Sequence, residues 1–239
     1  MREEKLPRLN DWHIKTKDPH YIHYYFLIRD IKEAINKYAH GDFLDLGCGN
    51  KPYETLYKPK TVSQIGCDVI QSDRNRVDVL CPVTDLKFEN EQFDTILCTQ
   101  VLEHVFEHDR MMSEIFRVLK PGGHIILTVP FVWELHEEPY DFFRYTKHAL
   151  NEIFEKSGFE VVYIKPNGGK WACIFQMFIN TVHSTFKYKT FRSKLIKILF
   201  IELRLTWLLS KIAIWIDQRY PDNWWTLNYI TVAKKKKSN

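Results

Sequence analysis

The sequence predicts an α/β fold with a mostly parallel central sheet flanked by helices. Short apolar runs alternate with stretches in which apolar residues recur at helical spacing, a rhythm typical of parallel sheets. The run over residues 42–46 leads into Gly47-Cys48-Gly49, and a second run ends in Asp68. A buried strand that enters a glycine-rich ligand loop has this pattern.

The elements follow in chain order from a helix over residues 19–39, where Pro19 suits the first turn and Gly41 follows the end. Later strands alternate with helices, and two apolar helical stretches broken near residues 187–190 precede a final strand pattern. The remaining elements are predicted as strands over 42–48, 62–70, 77–80, 93–99, 124–129, 159–164 and 226–232, helices over 109–119 and 147–157, and a helical turn near 53–57.

We therefore expect a single domain over residues 1–239, with a helical insertion before its last strand. This length is ample for one sizeable core. The predicted parts are an N-terminal extension and helix (1–40), a cofactor-binding core (41–169), the helical insertion (170–217), and the last strand with a basic tail (226–239).

Composition limits the partners and the compartment. The net charge of +4 is mild, and the lysines at 234–237 form one terminal run, so we expect a solvated tail and no nucleic-acid partner. The first residues lack the apolar core of a secretory signal, which predicts a cytoplasmic protein. The five cysteines form no CxxC pair, so we expect buried thiols in a reducing compartment.

The glycine loop indicates the ligand. Gly47 and Gly49 allow a sharp turn and a close approach to the backbone, but Pro52 stands where a dinucleotide fold needs a third glycine. Asp45 would repel phosphate and attract an ammonium group, while Asp68 stands where such folds bind ribose hydroxyls. A nucleoside with a cationic amine satisfies both acids, and S-adenosylmethionine fits that description.

Three segments in order resemble the motifs of the class I S-adenosylmethionine-dependent methyltransferases: Phe43–Gly49, Phe93–Val105 and Phe116–Gly123. Together they are far more specific than one glycine loop. The resemblance covers residues 41–164 and implies a Rossmann-like fold, S-adenosylmethionine as cofactor, and methyl transfer.

A narrower resemblance concerns the acceptor. The segments Lys51–Tyr53, Thr128–Phe131 and Asp141–Thr146 resemble a subgroup associated with bacterial surface-polysaccharide synthesis. It implies O-methylation of a sugar or sugar nucleotide, a small-molecule acceptor. An amine or RNA acceptor remains an alternative, as does a non-catalytic cofactor-binding scaffold at a membrane assembly.

The family resemblance also implies cofactor contacts. Residues of the glycine loop would line the methionine part, Asp68 and Val69 would contact the ribose and the adenine face, and Thr99 with Gln100 would close near the sulfonium. Pro82 replaces an acid usual beside adenine, so the backbone near Val83 would serve. The full set is Asp45, Gly47, Cys48, Gly49, Asp68, Val69, Val83, Thr99 and Gln100.

Two sets of residues are candidates for the catalytic role. His136, in the loop after the fifth strand, would be the general base for a hydroxyl acceptor. Glu103 and His104 follow the fourth strand and form the competing pair, as a base or as capping groups. The family resemblance also implies a metal alternative, because similar residues bind a divalent metal in some relatives; Asp141 is then a conjectural third ligand, and Gln100 stands where those relatives have another glutamate.

The loop after the fifth strand also predicts substrate contacts. Tyr140, Arg144 and Tyr145 offer aromatic faces for a sugar or base ring and a guanidinium for phosphate or carboxylate. Phe142 and Phe143, between them, are expected to pack in an aromatic minicore.

The helical insertion predicts an interaction surface. The helix near residues 195–216 has two apolar faces, whereas a helix that covers its own domain needs one. We expect a homodimer, or reversible attachment to the inner face of a membrane, through residues 170–217. Charges interrupt any run of about 18 apolar residues, which argues against a membrane span. The basic residues that would help attachment are Lys187, Lys189, Arg192, Lys194 and the terminal lysines.

Overall fold

The computed structural model describes residues 9–16, 18–185, 205–222 and 224–237. These residues form two compact units. The first contains described residues of Met1–Trp12, Asp30–Lys165 and Tyr229–Asn239, and the second contains those of His13–Arg29 and Pro166–Asn228. The predicted insertion falls in the second unit, and a single domain over the whole chain stays a prediction.

In the described residues, seven strands form one sheet in the order β3-β2-β1-β4-β5-β7-β6. The neighbours β1–β2, β2–β3, β1–β4 and β4–β5 are all parallel, so the predicted sheet is confirmed. The strands are β1 (Asp42–Leu46), β2 (Ser63–Asp68), β3 (Val79–Leu80), β4 (Phe93–Thr99), β5 (Leu119–Pro130), β6 (Phe159–Asn167) and β7 (Asn228–Lys235).

Helix α1 precedes β1, and the other helices fall between successive strands along the chain. The short helical turns Lys58–Lys60 and Leu102–His104 follow α2 and β4 respectively. The helices are α1 (Tyr21–Tyr38), α2 (Glu54–Tyr57), α3 (His108–Val118), α4 (Lys147–Lys156), α5 (Lys170–Thr185) and α6 (Leu205–Arg219).

Two features of the sheet differ from the sequence prediction. Strand β5 begins at Leu119, because Lys120–Gly123 lies within the extended chain instead of forming a turn before it. Strand β7 lies between β5 and β6, where the sequence indicated only that it closes the sheet. Strand β4 spans the predicted residues 93–99.

The core of the first unit lies between the sheet and its helices. Met111, Met112 and Ile115 on α3 are fully buried, as are Leu44 of β1 and Ile96 of β4. Helical spacing places the three α3 side chains on one face, which covers the sheet. All five cysteines of the chain are buried free thiols, as the sequence predicted.

An ion cluster joins the starts of three strands. The Nζ of Lys120 donates to Asp42 Oδ2 at 2.9 Å and to Asp94 Oδ2 at 2.7 Å. Asp94 Oδ2 also accepts from the backbone N of Asp42 at 2.8 Å. The cluster links the amino ends of β1, β4 and β5. Parallel pairing of these strands brings their carboxyl ends side by side, with Leu46 opposite Cys98 and Thr99 opposite Thr128.

In the second unit, a buried carboxylate on α6 caps the start of α5. Asp217 accepts from the backbone N of Gly169 at 2.9 Å and from that of Ala172 at 3.1 Å. Thr206 and Ser210 of α6 are also buried. These polar side chains of α6 therefore face inward, and Asp217 among them reaches the amide donors at the start of α5.

The apolar residues of α5 and α6 are only partly covered. Ile174, Trp207, Leu208, Ile212 and Trp215 are exposed, Trp215 by 64%. The predicted break at 187–190, Lys187, Lys189, Arg192, Lys194 and the helix before residue 205 lie outside the described residues. A homodimer or membrane contact through residues 170–217 stays a prediction. No helix in the described ranges is long and apolar enough to cross a membrane.

Replacing the α6 carboxylate should destabilise the second unit. In Asp217→Ala, two amide groups at the start of α5 lose their acceptor, and leaving buried polar groups unsatisfied costs about 1–3 kcal/mol each. Urea unfolding followed by circular dichroism measures the loss. Lys211→Ala, an exposed position of the same helix, is the control and should unfold like wild type. Equal unfolding of both variants would contradict the capping role.

Candidate active site

The loop after β1 is a tight turn built on glycine. Gly47 and Gly49 have φ of +73° and +49°, in the left-handed region that glycine adopts without strain. The amides of Gly47 and Cys48 both donate to the carbonyl of Cys67, at 2.9 and 3.0 Å. A Cβ on Gly47 would lie 2.3 Å from Cγ2 of Val101, so glycine also permits the close packing of two loops.

The carboxylate of Asp68 lies beside this loop. The backbone N of Gly49 donates to Oδ2 at 3.1 Å, and that of Val69 donates to Oδ1 at 2.7 Å. These two bonds orient a nearly buried carboxylate at the carboxyl end of β2. Each carboxylate oxygen can accept further hydrogen bonds, so Asp68 fits the ribose hydroxyls of a nucleoside.

Asp45 provides a buried acid below the same loop. Its side chain accepts from the Tyr57 hydroxyl at 3.1 Å. Burial raises its pKa to about 7, although Tyr57 and Lys51 partly oppose the shift. A nearby cation favours the ionised form of such an acid, so the site fits the ammonium group of S-adenosylmethionine. Tyr57 was not anticipated, since nothing in its spacing pointed to Asp45.

The turn after β4 is strained and tied to β5. Gln100 has φ of +55°, a conformation that costs a non-glycine residue about 1–3 kcal/mol. Its backbone N donates to Thr128 O at 2.9 Å, and its Nε2 donates to Thr128 Oγ1 at 3.1 Å. These bonds hold Thr99 and Gln100 at the sheet edge where the cofactor prediction placed them.

Glu103, His104 and His136 come together just beyond this turn. One potential ligand atom from each lies within 4.8 Å of the others. Oε1 of Glu103 and Nε2 of His104 are 3.8 Å apart, and the rings of His104 and His136 lie 4.8 Å apart, edge to face. The two competing sets of catalytic candidates therefore form one cluster.

Glu103 is an uncommon carboxyl group. It is 0% exposed, and within the described ranges neither carboxyl oxygen has a partner at hydrogen-bonding geometry. Burial raises its pKa to about 8, while its own backbone amide and the charge of Arg144 oppose that shift. Such a buried, perturbed acid in a cluster of histidines is typical of functional sites.

The loop after β5 is anchored by Asp141. Arg144 donates to both of its oxygens, at 2.6 and 2.7 Å, and the backbone N of His136 donates at 3.0 Å. Burial would raise the pKa of Asp141, but the bonds from Arg144 and His136 lower it to about 2. The sequence suggested Asp141 only as a metal ligand, although its i, i+3 spacing to Arg144 pointed to this ion pair.

Backbone contacts join the two loops. The amide of Phe142 donates to the carbonyl of Glu103 at 2.9 Å, and Nδ1 of His104 lies 2.8 Å from the carbonyl of Tyr140. Phe142 and Phe143 pack against Phe106, with ring centroids 5.6 and 6.1 Å away, as the aromatic prediction stated. The cluster thus sits on a rigid support.

The remaining predicted residues occupy different positions. Tyr140 lies at the loop rim and is half-buried, whereas Tyr145 is in the core with its hydroxyl 3.4 Å from Leu102 O. Arg144 is occupied by Asp141 and by the carbonyls of Phe143 and Glu134. The substrate contacts of these three stay predictions, as do the adenine contacts of the exposed Val69 and half-buried Val83.

Hydrogen bonding fixes the tautomers of both histidines. A carbonyl only accepts, so Nδ1 of His104 carries the proton that it shares with Tyr140 O. Nδ1 of His136 faces Asp141 Oδ2 at 3.2 Å and Glu134 O at 3.3 Å, which are also acceptors. In the neutral form with the proton on Nδ1, each imidazole has its lone pair on Nε2, the atom type that can take a proton or bind a metal.

The glycine loop, the two acids and the sheet define a class I S-adenosylmethionine-dependent methyltransferase fold and cofactor site. The chain belongs to the family of methyltransferase domains, whose model matches residues 20–164, more than half of the sequence. S-adenosylmethionine is accordingly the cofactor, and Asp45, Gly47, Gly49 and Asp68 are the residues whose chemistry fits it.

Curated relatives match over part of the chain. An uncharacterised protein of Methanocaldococcus jannaschii is 31% identical over 57% of this chain and 64% of its own length. A "probable S-adenosylmethionine-dependent methyltransferase" of Mycolicibacterium smegmatis is 26% identical over 54% of this chain and 56% of its own. The chain thus spans less than two thirds of these relatives.

Solved structures share the fold. A methyltransferase from Archaeoglobus fulgidus aligns with a TM-score of 0.55 at 16% identity, covering 89% of this chain and 100% of its own. The [4+2]-cyclase SpnF aligns with a TM-score of 0.61 at 18% identity, covering 98% of this chain and 89% of its own. Such identities show the fold alone.

Replacing Asp68, the acid expected to bind the ribose hydroxyls, should weaken cofactor binding. In Asp68→Ala, two hydroxyls lose a charged acceptor worth about 1.5–3 kcal/mol per bond, so the Kd for S-adenosylmethionine should rise by about 10-fold or more. Isothermal titration calorimetry gives the Kd. Asp85→Ala, an exposed acid after β3, is the matched control. An unchanged Kd in folded Asp68→Ala would refute the assignment.

The buried acid below the loop should make stability depend on pH. The folded-state pKa of Asp45, about 7, lies above the unfolded value of about 3.9. The folded state therefore holds an extra proton between these values, and stability falls as pH rises through this window. Asp45→Asn keeps the acceptor for Tyr57 but cannot ionise. From about pH 5 to pH 8, the free energy of unfolding of Asp45→Asn, measured with urea, should fall by about 1–3 kcal/mol less than that of wild type. Equal falls in both proteins would contradict the raised pKa of Asp45.

Proposed function

We propose that this chain transfers a methyl group from S-adenosylmethionine to a hydroxyl of a small, sugar-type acceptor. The cluster of Glu103, His104 and His136 carries the proposal, because it follows the strand ends next to the cofactor loop. Strand register supports this placement, since Leu46 of β1 faces Cys98 of β4, and Cys98 faces Leu127 of β5.

The reaction needs the chemistry that the cluster offers. A new O–C bond forms while the S–C bond of the cofactor breaks, and the acceptor hydroxyl must lose its proton. The Nδ1 contacts of His104 and His136 are with acceptors, which favours the tautomer that has its lone pair on Nε2. An imidazole can take the proton, or a cation bound by the cluster can make the hydroxyl more acidic.

Two relatives support oxygen as the methyl acceptor. The tRNA (carboxymethyluridine(34)-5-O)-methyltransferase of Arabidopsis thaliana is 33% identical over 40% of this chain and 24% of its own length. The ubiquinone biosynthesis O-methyltransferase of Rickettsia bellii is 25% identical over 43% of this chain and 48% of its own. Both names specify O-methylation.

The loop rim supports a ring-shaped acceptor. Tyr140 and Trp133 of this loop are half-buried and Phe142 is partly exposed, and aromatic side chains of this kind can stack on a sugar ring. The sugar class itself rests on the resemblance of Lys51–Tyr53, Thr128–Phe131 and Asp141–Thr146.

An acceptor panel tests the proposal. The purified full chain is incubated with S-adenosylmethionine and, in turn, nucleotide sugars, a catechol, primary amines and bulk tRNA, and S-adenosylhomocysteine release is measured. Turnover with a nucleotide sugar supports the proposal. Turnover with only tRNA or only an amine would show that the acceptor is of that class and not a sugar. Cofactor binding without any turnover would support a non-catalytic scaffold.

His136→Ala should lower kcat by about 10²–10⁴-fold with the accepted substrate, the loss typical of a missing acid–base group. The Kd for S-adenosylmethionine should stay within about threefold, because His136 lies outside the glycine loop. His148→Ala, an exposed histidine on α4, is the control and should keep full turnover. A similar kcat for both variants would exclude His136 from the chemistry.

A further inference from the structure

Oε1 of Glu103 and Nε2 of His104 converge without a direct hydrogen bond between them. They are 3.8 Å apart, whereas direct hydrogen bonds are about 2.7–3.2 Å long. One potential ligand atom from each of Glu103, His104 and His136 lies within 4.8 Å of the others. Ligands at about 2.0–2.2 Å from one metal ion lie about 3–4 Å apart, which small side-chain rotations would reach.

Both histidines are oriented by a second layer of acceptors. Tyr140 O holds Nδ1 of His104 at 2.8 Å, and Asp141 Oδ2 lies 3.2 Å from Nδ1 of His136. A backbone carbonyl and a carboxylate are the usual partners of the outer nitrogen of a metal-bound imidazole. Asp141 is itself fixed by Arg144, and its side chain is only 1% exposed. Because Nδ1 of each ring faces an outer acceptor, Nε2 would be the atom that binds the ion.

Glu103 supplies an independent indication of a ligand. A carboxyl group that is 0% exposed, with no hydrogen-bonding partner for either oxygen within the described chain, is costly to bury. Buried carboxylates are normally paired or bound to a metal. A cation bound by Glu103 and the two imidazoles would satisfy this group.

We propose that Glu103, His104 and His136 bind one divalent transition-metal ion through a carboxylate oxygen and two Nε2 atoms. Two imidazoles favour Zn²⁺, Fe²⁺ or Co²⁺ over Mg²⁺, which prefers an all-oxygen shell. Three protein ligands leave positions open, as in catalytic zinc sites with two histidines and one glutamate.

The function of this ion rests on the proposed O-methyl transfer. An acceptor hydroxyl bound at an open position would lose its proton more readily, because the cation stabilises the resulting alkoxide. The proton passes to solvent, and the alkoxide oxygen receives the methyl group as the S–C bond breaks. His136 then acts as a ligand instead of a base.

Metal binding can be tested without any acceptor. The full chain is stripped with EDTA, dialysed, and titrated with Zn²⁺ by calorimetry and with Co²⁺ by visible absorption. Wild type should bind one ion, and Co²⁺ should give ligand-field bands. Glu103→Gln and His136→Ala should each raise the Kd for Zn²⁺ at least tenfold, while His148→Ala binds like wild type. Each variant must retain the wild-type Kd for S-adenosylmethionine, which shows that it is folded.

Two results would overturn the metal site. Wild type that takes up neither ion at millimolar concentration lacks it, and unchanged binding in Glu103→Gln and His136→Ala places the ion elsewhere. Methyl transfer is measured in a separate assay. Turnover by metal-free wild type would show that the ion has no catalytic role, while the proposed methyl transfer would stand. Binding as expected without turnover on any acceptor would instead refute the proposed function.

Discussion

The parallel register of β1, β4 and β5 is the constraint on which the site depends. Because β1 pairs in parallel with β4 and β4 with β5, the carboxyl ends of these strands meet at one edge, and Lys120 bridges Asp42 and Asp94 at the opposite edge. The glycine loop, the strained Gln100 and the loop after β5 then start from adjacent positions. The alignment of the strands therefore places residues that are far apart in sequence next to one another.

The sequence predicted what local pattern controls. Residues 93–99 read as a strand because the run is apolar and bounded by polar turns, and the structure gives the same bounds. It did not place β7 between β5 and β6, since strand order depends on packing of the whole sheet. Nor did it show that Thr206, Ser210 and Asp217 face inward, because a helical wheel does not reveal the amide donors at the start of α5.

The candidate site divides in the same way. Asp45, the two glycines and Asp68 belong to strand ends, so motif spacing was enough to locate them. Glu103 and His104 are adjacent in the chain. The approach of His136 was not predictable, because it requires a long loop to fold back and Asp141 to hold the backbone of His136. Fold likeness cannot replace this reasoning, since a [4+2]-cyclase shares the architecture.

The Asp141–Arg144 pair separates the chemistry of the loop from its acceptor preference. Both oxygens of Asp141 are bound by Arg144, and one of them also accepts from the backbone of His136. The imidazole of His136 is thus positioned by interior contacts, while Phe142 on the same loop is 41% exposed. Under the proposed function, substitutions at such exposed positions would change the acceptor without disturbing the Glu103, His104 and His136 cluster. A chain built this way is a suitable starting point for divergence to new acceptors, and for directed evolution of its specificity.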